Sequence, residues 1–96
     1  IGIGRVTANL ADSPIDDAVQ IEDPEIVRTT YGLLREDGFF LGATSGTNVA
    51  AAIRVARDLG PGPTIVTILC DGGHKYASRF YNREWLETKG LLQYAG

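Results

Sequence analysis

Residues 39–46 read FFLGATSG, and this stretch decides the predicted fold. It opens on a continuous apolar run, 39–42, bounded by glycines, which is typical of a strand covered on both faces of a sheet. A turn of small residues follows, and the alanine-rich residues 47–59 predict a helix that ends at Gly60. Strand, turn and helix together predict one unit of a layered α/β fold.

A further strand is predicted after that helix. Residues 64–70, TIVTILC, are apolar and largely β-branched, which favours a central strand, and 71–73 turn the chain at its carboxyl end. Residues 18–21 predict a shorter strand earlier in the chain. Strands that alternate with helices indicate right-handed crossovers between parallel strands. The predicted fold class is therefore α/β, with a three-layer parallel sheet.

Local signals predict where two other helices begin and end. Asp23-Pro24-Glu25 supplies an N-cap oxygen, a proline at the first helical position and a carboxylate favoured by the helix dipole. The helix that starts there should end at Gly38 in a left-handed cap. Residues 82–86 predict a short capped helix, and residues 1–15 are predicted to be a loop.

Composition describes a globular chain and excludes several classes of function. With 44% hydrophobic and 22% charged residues, the 96-residue chain should form one modest core. The net charge is −3 and the nine basic residues are scattered, so we expect no nucleic-acid partner. Apolar runs fall far short of the ~20 residues that cross a bilayer, so we expect no membrane partner. The single cysteine, Cys70, fits a reducing cytoplasm.

The two glycine-rich turns form the candidate site, because ligands of open α/β sheets gather beyond the carboxyl ends of strands. In the first turn, Gly42, Thr44, Ser45 and Gly46 place small residues and hydroxyls where free helix N–H groups attract a phosphate or carboxylate. The alternative is that these hydroxyls only cap the helix.

In the second turn, the Asp71 carboxylate either accepts a hydrogen bond from a cationic ring nitrogen or caps local N–H groups. His74 has no cysteine, serine or second histidine at a motif spacing, which indicates a solvent-facing residue and neither a metal site nor a catalytic triad. Cys70 is predicted to be a small buried hydrophobe. Gly2-Ile3-Gly4 lacks the third glycine of a dinucleotide fingerprint.

Several segments together carry a resemblance to a known family, and they cover nearly the whole chain: Gly2-Ile3-Gly4, 14–17, 38–46, 48–52, 65–76 and 82–86. The run 67–73, TILCDGG, followed by Tyr76 and Ser78, is specific to that family. The chain resembles the closing third of cysteine synthase and its relatives. Because it also lacks methionine, even at position 1, we expect it to be a piece of a longer protein.

The resemblance implies a fold-type II enzyme that uses pyridoxal 5'-phosphate (PLP). Such an enzyme eliminates acetate from O-acetyl-L-serine and adds sulfide, giving L-cysteine. Residues 1–96 would be a partial PLP-dependent β-synthase domain, its C-terminal segment. In the family, a Schiff-base lysine and a phosphate loop lie upstream, and neither Lys75 nor Lys89 stands at the lysine's position. We therefore expect no catalytic residue here, and an inactive isolated chain.

The resemblance also implies cofactor contacts, from Gly42, Thr44, Ser45, Gly46, Asp71 and Gly72. The family's strand-end hydroxyl, which bonds the pyridine nitrogen, falls on Asp71 or Gly72, and neither is a hydroxyl. A carboxylate there would favour a protonated ring, whereas glycine would leave backbone or water as the partner.

Beyond the cofactor, the family implies a cytoplasmic homodimer with serine acetyltransferase as a partner. Two alternatives to cysteine synthase stay open at this point. One is an enzyme similar to cystathionine β-synthase, and the other is a non-catalytic binding or regulatory half-domain.

Overall fold

The structure, a computed structural model, describes the backbone of residues 8–96 and the side chains of all of these except 9, 10 and 75. The α-helices of this part are α1 (Ala8–Ala11), α2 (Asp23–Gly32), α3 (Ala43–Leu59) and α4 (Arg83–Thr88). A π-helical turn, Leu33–Asp37, extends α2, and 3₁₀ turns form at Gly73–Tyr76 and Leu92–Tyr94. Over residues 8–96, no helix combines the length and the apolar character that a membrane crossing needs.

Helix α2 begins and ends where its local signals predict. Asp23 and Glu25 lie in its first turn with Pro24 between them, so carboxylates face the positive end of the helix dipole. The helical path continues through the π turn to Gly38, whose φ of 74° is the left-handed cap expected there. The Gly38 N–H donates to the Leu34 carbonyl at 3.2 Å. The end at Gly38 is therefore confirmed, and the helix starts at Asp23 as expected. The prediction of a side-chain cap is wrong, because the N-cap is Glu22 and no described side chain caps the helix there.

Helix α3 is longer than predicted. A start near residue 47 was predicted from the alanine-rich residues 47–59, but the helix begins at Ala43 with Gly42 as its N-cap. Glycine is a poor helix former, yet Gly46 lies inside the first turns. Packing overrides propensity at this position, since Gly46 lies directly against Thr30 of α2. The turn predicted over 42–46 is thus the N-cap and first turn of a helix.

Of the two shorter helices, α4 was predicted from the sequence and α1 was not. Residues 8–11, predicted to be loop, form α1. The helix predicted over 82–86 is confirmed as α4, and the Asn82 side chain caps it by accepting the Glu84 N–H at 2.9 Å. The segment Gly2-Ile3-Gly4 lies outside the described residues.

The predicted parallel sheet is not confirmed. No strand forms within residues 8–96, and only Leu41 and Gly72 pair there, as an isolated antiparallel bridge. In the part of the chain that the structure describes, the segments 18–21, 39–42 and 64–70 have non-helical backbone, and only Leu41 among them has a bridge partner. The physical reason is that a strand, unlike a helix, satisfies its backbone N–H and C=O groups only against neighbouring strands.

The core lies where α2 and α3 meet the C-terminal segment. Its fully or nearly buried apolar members come from all three, and they are Ile26, Val27, Ala43, Phe80, Leu86 and Ala95. An ion pair between Arg54 of α3 and Glu25 of α2 reinforces the packing from outside. This core fixes the start of α3 and the segment 71–81 relative to each other, and the predicted site lies between them.

Candidate functional site

The two predicted turns lie side by side. The Gly42 N–H donates to the Asp71 carbonyl at 3.1 Å, and the Gly73 N–H donates to the Phe40 carbonyl at 3.0 Å. These bonds flank the bridge between Leu41 and Gly72. Residues 40–42 and 71–73 therefore form one short, hydrogen-bonded unit at the N-terminus of α3.

Helix α3 directs the positive end of its dipole at this unit. The helix has 17 residues, and its first N–H groups have no partner within the helix. Ser45 is fully buried in the first turn, and its hydroxyl donates to the Asp71 carbonyl at 3.3 Å. Thr44 is half-buried. One of the two predicted hydroxyls thus ties the turns together, which corresponds to neither the anion-binding nor the capping interpretation.

The chain itself fills the space beside the two buried glycines of this helix start. A Cβ placed on Gly42 would lie 2.2 Å from Asp71 Oδ1 and 2.6 Å from the Tyr76 ring. A Cβ on Gly46 would lie 1.8 Å from Thr30 Oγ1. Close packing within the chain therefore explains why both positions need glycine, and approach to a ligand is not required for it.

The Asp71 side chain is directed back into the unit. Its Oδ2 accepts the Tyr76 hydroxyl at 3.1 Å, and its Oδ1 lies against Gly42 at the N-terminus of α3. The neighbouring Gly72 is exposed, and a Cβ placed there would meet nothing closer than His74 Nδ1 at 3.4 Å. Of the two candidates for the ring-nitrogen contact, Gly72 lies on the open side.

The predictions for His74 and Cys70 have different outcomes. His74 is exposed, as predicted, and its ring packs edge-on against Phe40 with the ring centroids 4.8 Å apart. Cys70 is also exposed, so the prediction of a buried residue is wrong. No described residue pairs with the segment 64–70 to cover Cys70, and Asn48 Nδ2 lies 3.7 Å from its sulfur. Among the described residues, no group of three histidine, cysteine or acidic side chains is placed to hold a metal ion.

Two tyrosines that the sequence did not single out join the C-terminal segment to the rest of the described chain. The Tyr81 hydroxyl donates to the Leu41 carbonyl, and the Tyr31 hydroxyl donates to the Phe80 carbonyl at 2.7 Å. Burial, together with the neighbouring Tyr31, raises the pKa of Tyr81 to about 12. Burial also raises the pKa of Tyr31, although the charge of Arg83 lowers it. No local sequence pattern marks these contacts, which join residues 40 or more positions apart.

A cavity of about 260 Å³ adjoins the unit. Apolar side chains such as Ile26, Phe80 and Trp85 line most of it, and it shares Ala43 and Tyr76 with the unit. A second, more open cavity of about 310 Å³ lies between α3 and residues 65–67. The start of α3 is thus packed on one side, while its later turns face the unpaired segment 64–70.

Residues 1–71 match the family described as pyridoxal-phosphate dependent enzymes. The chain belongs to this family. Among its curated relatives is cysteine synthase 1 of Neurospora crassa, 47% identical over 94 residues, which are 96% of this chain and 25% of that protein. Cysteine synthase of Dictyostelium discoideum is 43% identical over 86 residues, or 90% of this chain and 23% of that protein. The resemblance seen in the sequence is confirmed.

The family also extends to a cystathionine beta-synthase from Apis mellifera. That protein is 33% identical over 93 residues, which are 97% of this chain and 18% of its own length. The chain thus spans about a quarter or less of the curated relatives it matches. A pyridoxal-phosphate dependent enzyme of their size would contain this unit as one part of a larger structure.

Proposed function

We propose that the chain is the C-terminal part of a PLP-dependent cysteine synthase, which makes L-cysteine and acetate from O-acetyl-L-serine and sulfide. The observation that carries the proposal is the match to curated cysteine synthases at 43–47% identity over nearly the whole chain, together with the family match over residues 1–71. The chain would contribute about a quarter of such an enzyme. The remaining three quarters would supply the Schiff-base lysine that the family resemblance implies.

Within that enzyme, the unit formed by residues 40–42 and 71–73 would line one edge of the cofactor site. Bound PLP supplies an electron sink for charge that develops at the substrate's α-carbon. Thr44, which is half-buried, and the backbone of Gly72, which is exposed, would contact the cofactor. Gly42, Ser45 and Gly46 are buried and would support that edge from behind.

The side chain of Asp71 would cap this edge and leave the ring-nitrogen contact to Gly72. Its carboxylate offsets the positive end of the α3 dipole at Gly42 and accepts the Tyr76 hydroxyl, so its oxygens are engaged inside the chain. A ring nitrogen that faces backbone or water is not held protonated, whereas one that faces a carboxylate is. This geometry supports a largely unprotonated ring.

The parallel sheet would be completed by strands from the rest of the enzyme. Segment 64–70 is exposed along its length, with Val66 84% and Ile68 66% exposed, although its β-branched residues suit a central strand. Helix α3 already covers part of one face, through a bond from Asn48 Nδ2 to the Ile68 carbonyl at 2.9 Å. Flanking strands would bury the apolar residues and would also cover Cys70.

Location and assembly follow from the proposed identity. A cytoplasmic homodimer that binds serine acetyltransferase is the arrangement we propose for the whole enzyme. An exposed free cysteine is compatible with a reducing compartment, where thiols persist. The net charge of −3 and the scattered basic residues do not favour a nucleic-acid partner.

A cystathionine β-synthase-like activity is the second candidate, since the Apis mellifera relative is 33% identical over 97% of this chain. The two activities differ in the thiol that is added, and the same assay separates them. Homocysteine with serine would give cystathionine, while sulfide with O-acetyl-L-serine would give cysteine.

The test compares the whole protein that contains this chain with the 96-residue chain, each supplied with PLP, O-acetyl-L-serine and sulfide. We expect cysteine from the whole protein only, because the isolated chain has no lysine at the family's position and so lacks the group that both attaches the cofactor and moves the α-proton. Cysteine formation by the 96-residue chain would refute the proposal that it is an incomplete part. A whole protein that forms no cysteine from this mixture, but forms cystathionine when it is given homocysteine and serine, would favour the second candidate.

A further inference from the structure

The side chain of Tyr76 makes contacts to which the proposed function assigns no role. Tyr76 follows Asp71 by five residues, at the end of the 3₁₀ turn Gly73–Tyr76, and that turn brings its hydroxyl back to Asp71 Oδ2 at 3.1 Å. Its half-buried ring also closes over Gly42, where a Cβ would lie 2.6 Å from it. One side chain thus contacts both halves of the unit.

The Asp71 carboxylate stands close to an open surface. Asp71 is only half-buried, and the next residue, Gly72, is exposed and has no side chain to screen it. Rotation about the side-chain bonds of an aspartate moves its carboxylate by several ångströms without any change in the backbone. The backbone of Asp71 is meanwhile held by the Gly42 N–H and the Ser45 hydroxyl, which both bond its carbonyl. The backbone of Asp71 is therefore fixed, but its carboxylate can still point in different directions. A partner side chain is needed to hold it in one of them.

We propose that Tyr76 is a positioning residue, whose hydroxyl holds the Asp71 carboxylate against the N-terminus of α3 and away from the face on which Gly72 lies. The inference rests on the proposed function, because that face is the one proposed to meet the cofactor ring. A carboxylate turned outward would favour protonation of the ring nitrogen. Tyr76 thereby controls the electronic state of the cofactor without touching it.

The experiment measures the visible absorption spectrum of bound PLP in the whole protein, for wild type and for Tyr76→Phe, Asp71→Asn and the double variant. Tyr76→Phe removes a single oxygen atom, so the ring packing and the fold are retained, and circular dichroism verifies this. Tyr94→Phe is the matched control, because Tyr94 is also half-buried and its ring packs on Arg28, with the guanidinium carbon 5.3 Å from the ring centroid.

We expect Tyr76→Phe to shift the absorption maximum, and we expect no further shift when the same change is made in the Asp71→Asn background, where no carboxylate is left to release. Tyr94→Phe should keep the wild-type spectrum. A wild-type spectrum for Tyr76→Phe would overturn the inference. An equal shift in both backgrounds would also overturn it, since Tyr76 would then act without Asp71.

A second readout in the same variants does not depend on the cofactor. The amide of Gly42 should exchange with solvent faster in Tyr76→Phe, because it donates to the carbonyl of the residue that Tyr76 holds, while the amide of Gly60 should not change. Faster exchange without a spectral shift would overturn the role toward the cofactor. A wild-type protein that takes up no PLP would instead refute the proposed function, and this inference with it.

Discussion

The region built by α2, α3 and α4 and the segment 64–70 have opposite surroundings although both are rich in apolar residues. In the helical region, Leu86 and Val27 are 0% and 1% exposed. In the segment, Val66 is 84% and Ile68 66% exposed, without any strand partner in the described chain. The difference lies in where each element finds its hydrogen bonds.

A helix satisfies its backbone groups within about four residues, so it forms as soon as one face is covered. A strand depends on neighbours that are distant in sequence. Residues 8–96 hold enough partners for the helices and too few for the segment 64–70 to form a strand. The segment 64–70 therefore has the sequence of a buried strand in surroundings that leave it open, as expected for a part of a larger sheet.

Truncation of an apolar side chain should give the largest difference in stability loss between the two regions. In the 96-residue chain, Leu86→Ala should lower the free energy of unfolding by about 3 kcal/mol, because it leaves a cavity beside a fully buried side chain. The matched change Ile68→Ala should alter it by less than about 0.5 kcal/mol. Urea unfolding measures both values. Similar losses at the two positions would show that the segment is already packed and would break the comparison.

Added volume at a glycine should give the next largest effect. Gly46→Ala should destabilise the chain by about 2 kcal/mol, because its new methyl group would overlap Thr30 Oγ1. Gly32→Ala is the control, since nothing lies within 4 Å of a Cβ there, and it should be neutral or stabilise by up to about 1 kcal/mol. If thermal unfolding showed equal shifts for the two variants, the close contact between α2 and α3 would be wrong.

High pH should weaken the packed region by a smaller amount. The folded-state pKa of Tyr81 is raised from 10.0 to about 12, so between these values the unfolded chain loses the tyrosine proton while the folded chain keeps it. Stability is then fully present below pH 10 and falls as the pH rises toward 12. Tyr81→Phe should make this fall shallower in urea unfolding at several pH values. An identical fall in both proteins would contradict the burial of Tyr81.

Sequence patterns predicted the features that depend on near neighbours. Gly38 marked the end of the first long helical stretch and Asn82 the start of α4, because caps act within a few residues. Asp23-Pro24 marked the start of α2, but without the side-chain cap that was predicted. The juxtaposition of residues 42–46 and 71–73 was also expected, from the rule that ligand loops gather at one edge of a sheet.

Features that depend on distant contacts were missed. The early start of α3 depends on Gly46 meeting Thr30, and the exposure of Cys70 depends on a strand without partners. The bonds from the Tyr76 and Tyr81 hydroxyls require the folded arrangement of the C-terminal segment, which no spacing rule encodes. The expected cofactor and activity came from the resemblance to cysteine synthase, because the residues alone left both open.

Amide hydrogen exchange over residues 64–70 is the measurement that tests most directly whether this chain is one part of a larger PLP enzyme. In the 96-residue chain we expect these amides to exchange nearly as fast as in an unfolded peptide, while amides in the middle of α3 are protected. In the whole protein we expect the same amides to be among the most protected, because flanking strands complete the sheet. Strong protection of 64–70 in the 96-residue chain, or rapid exchange in the whole protein, would contradict the account.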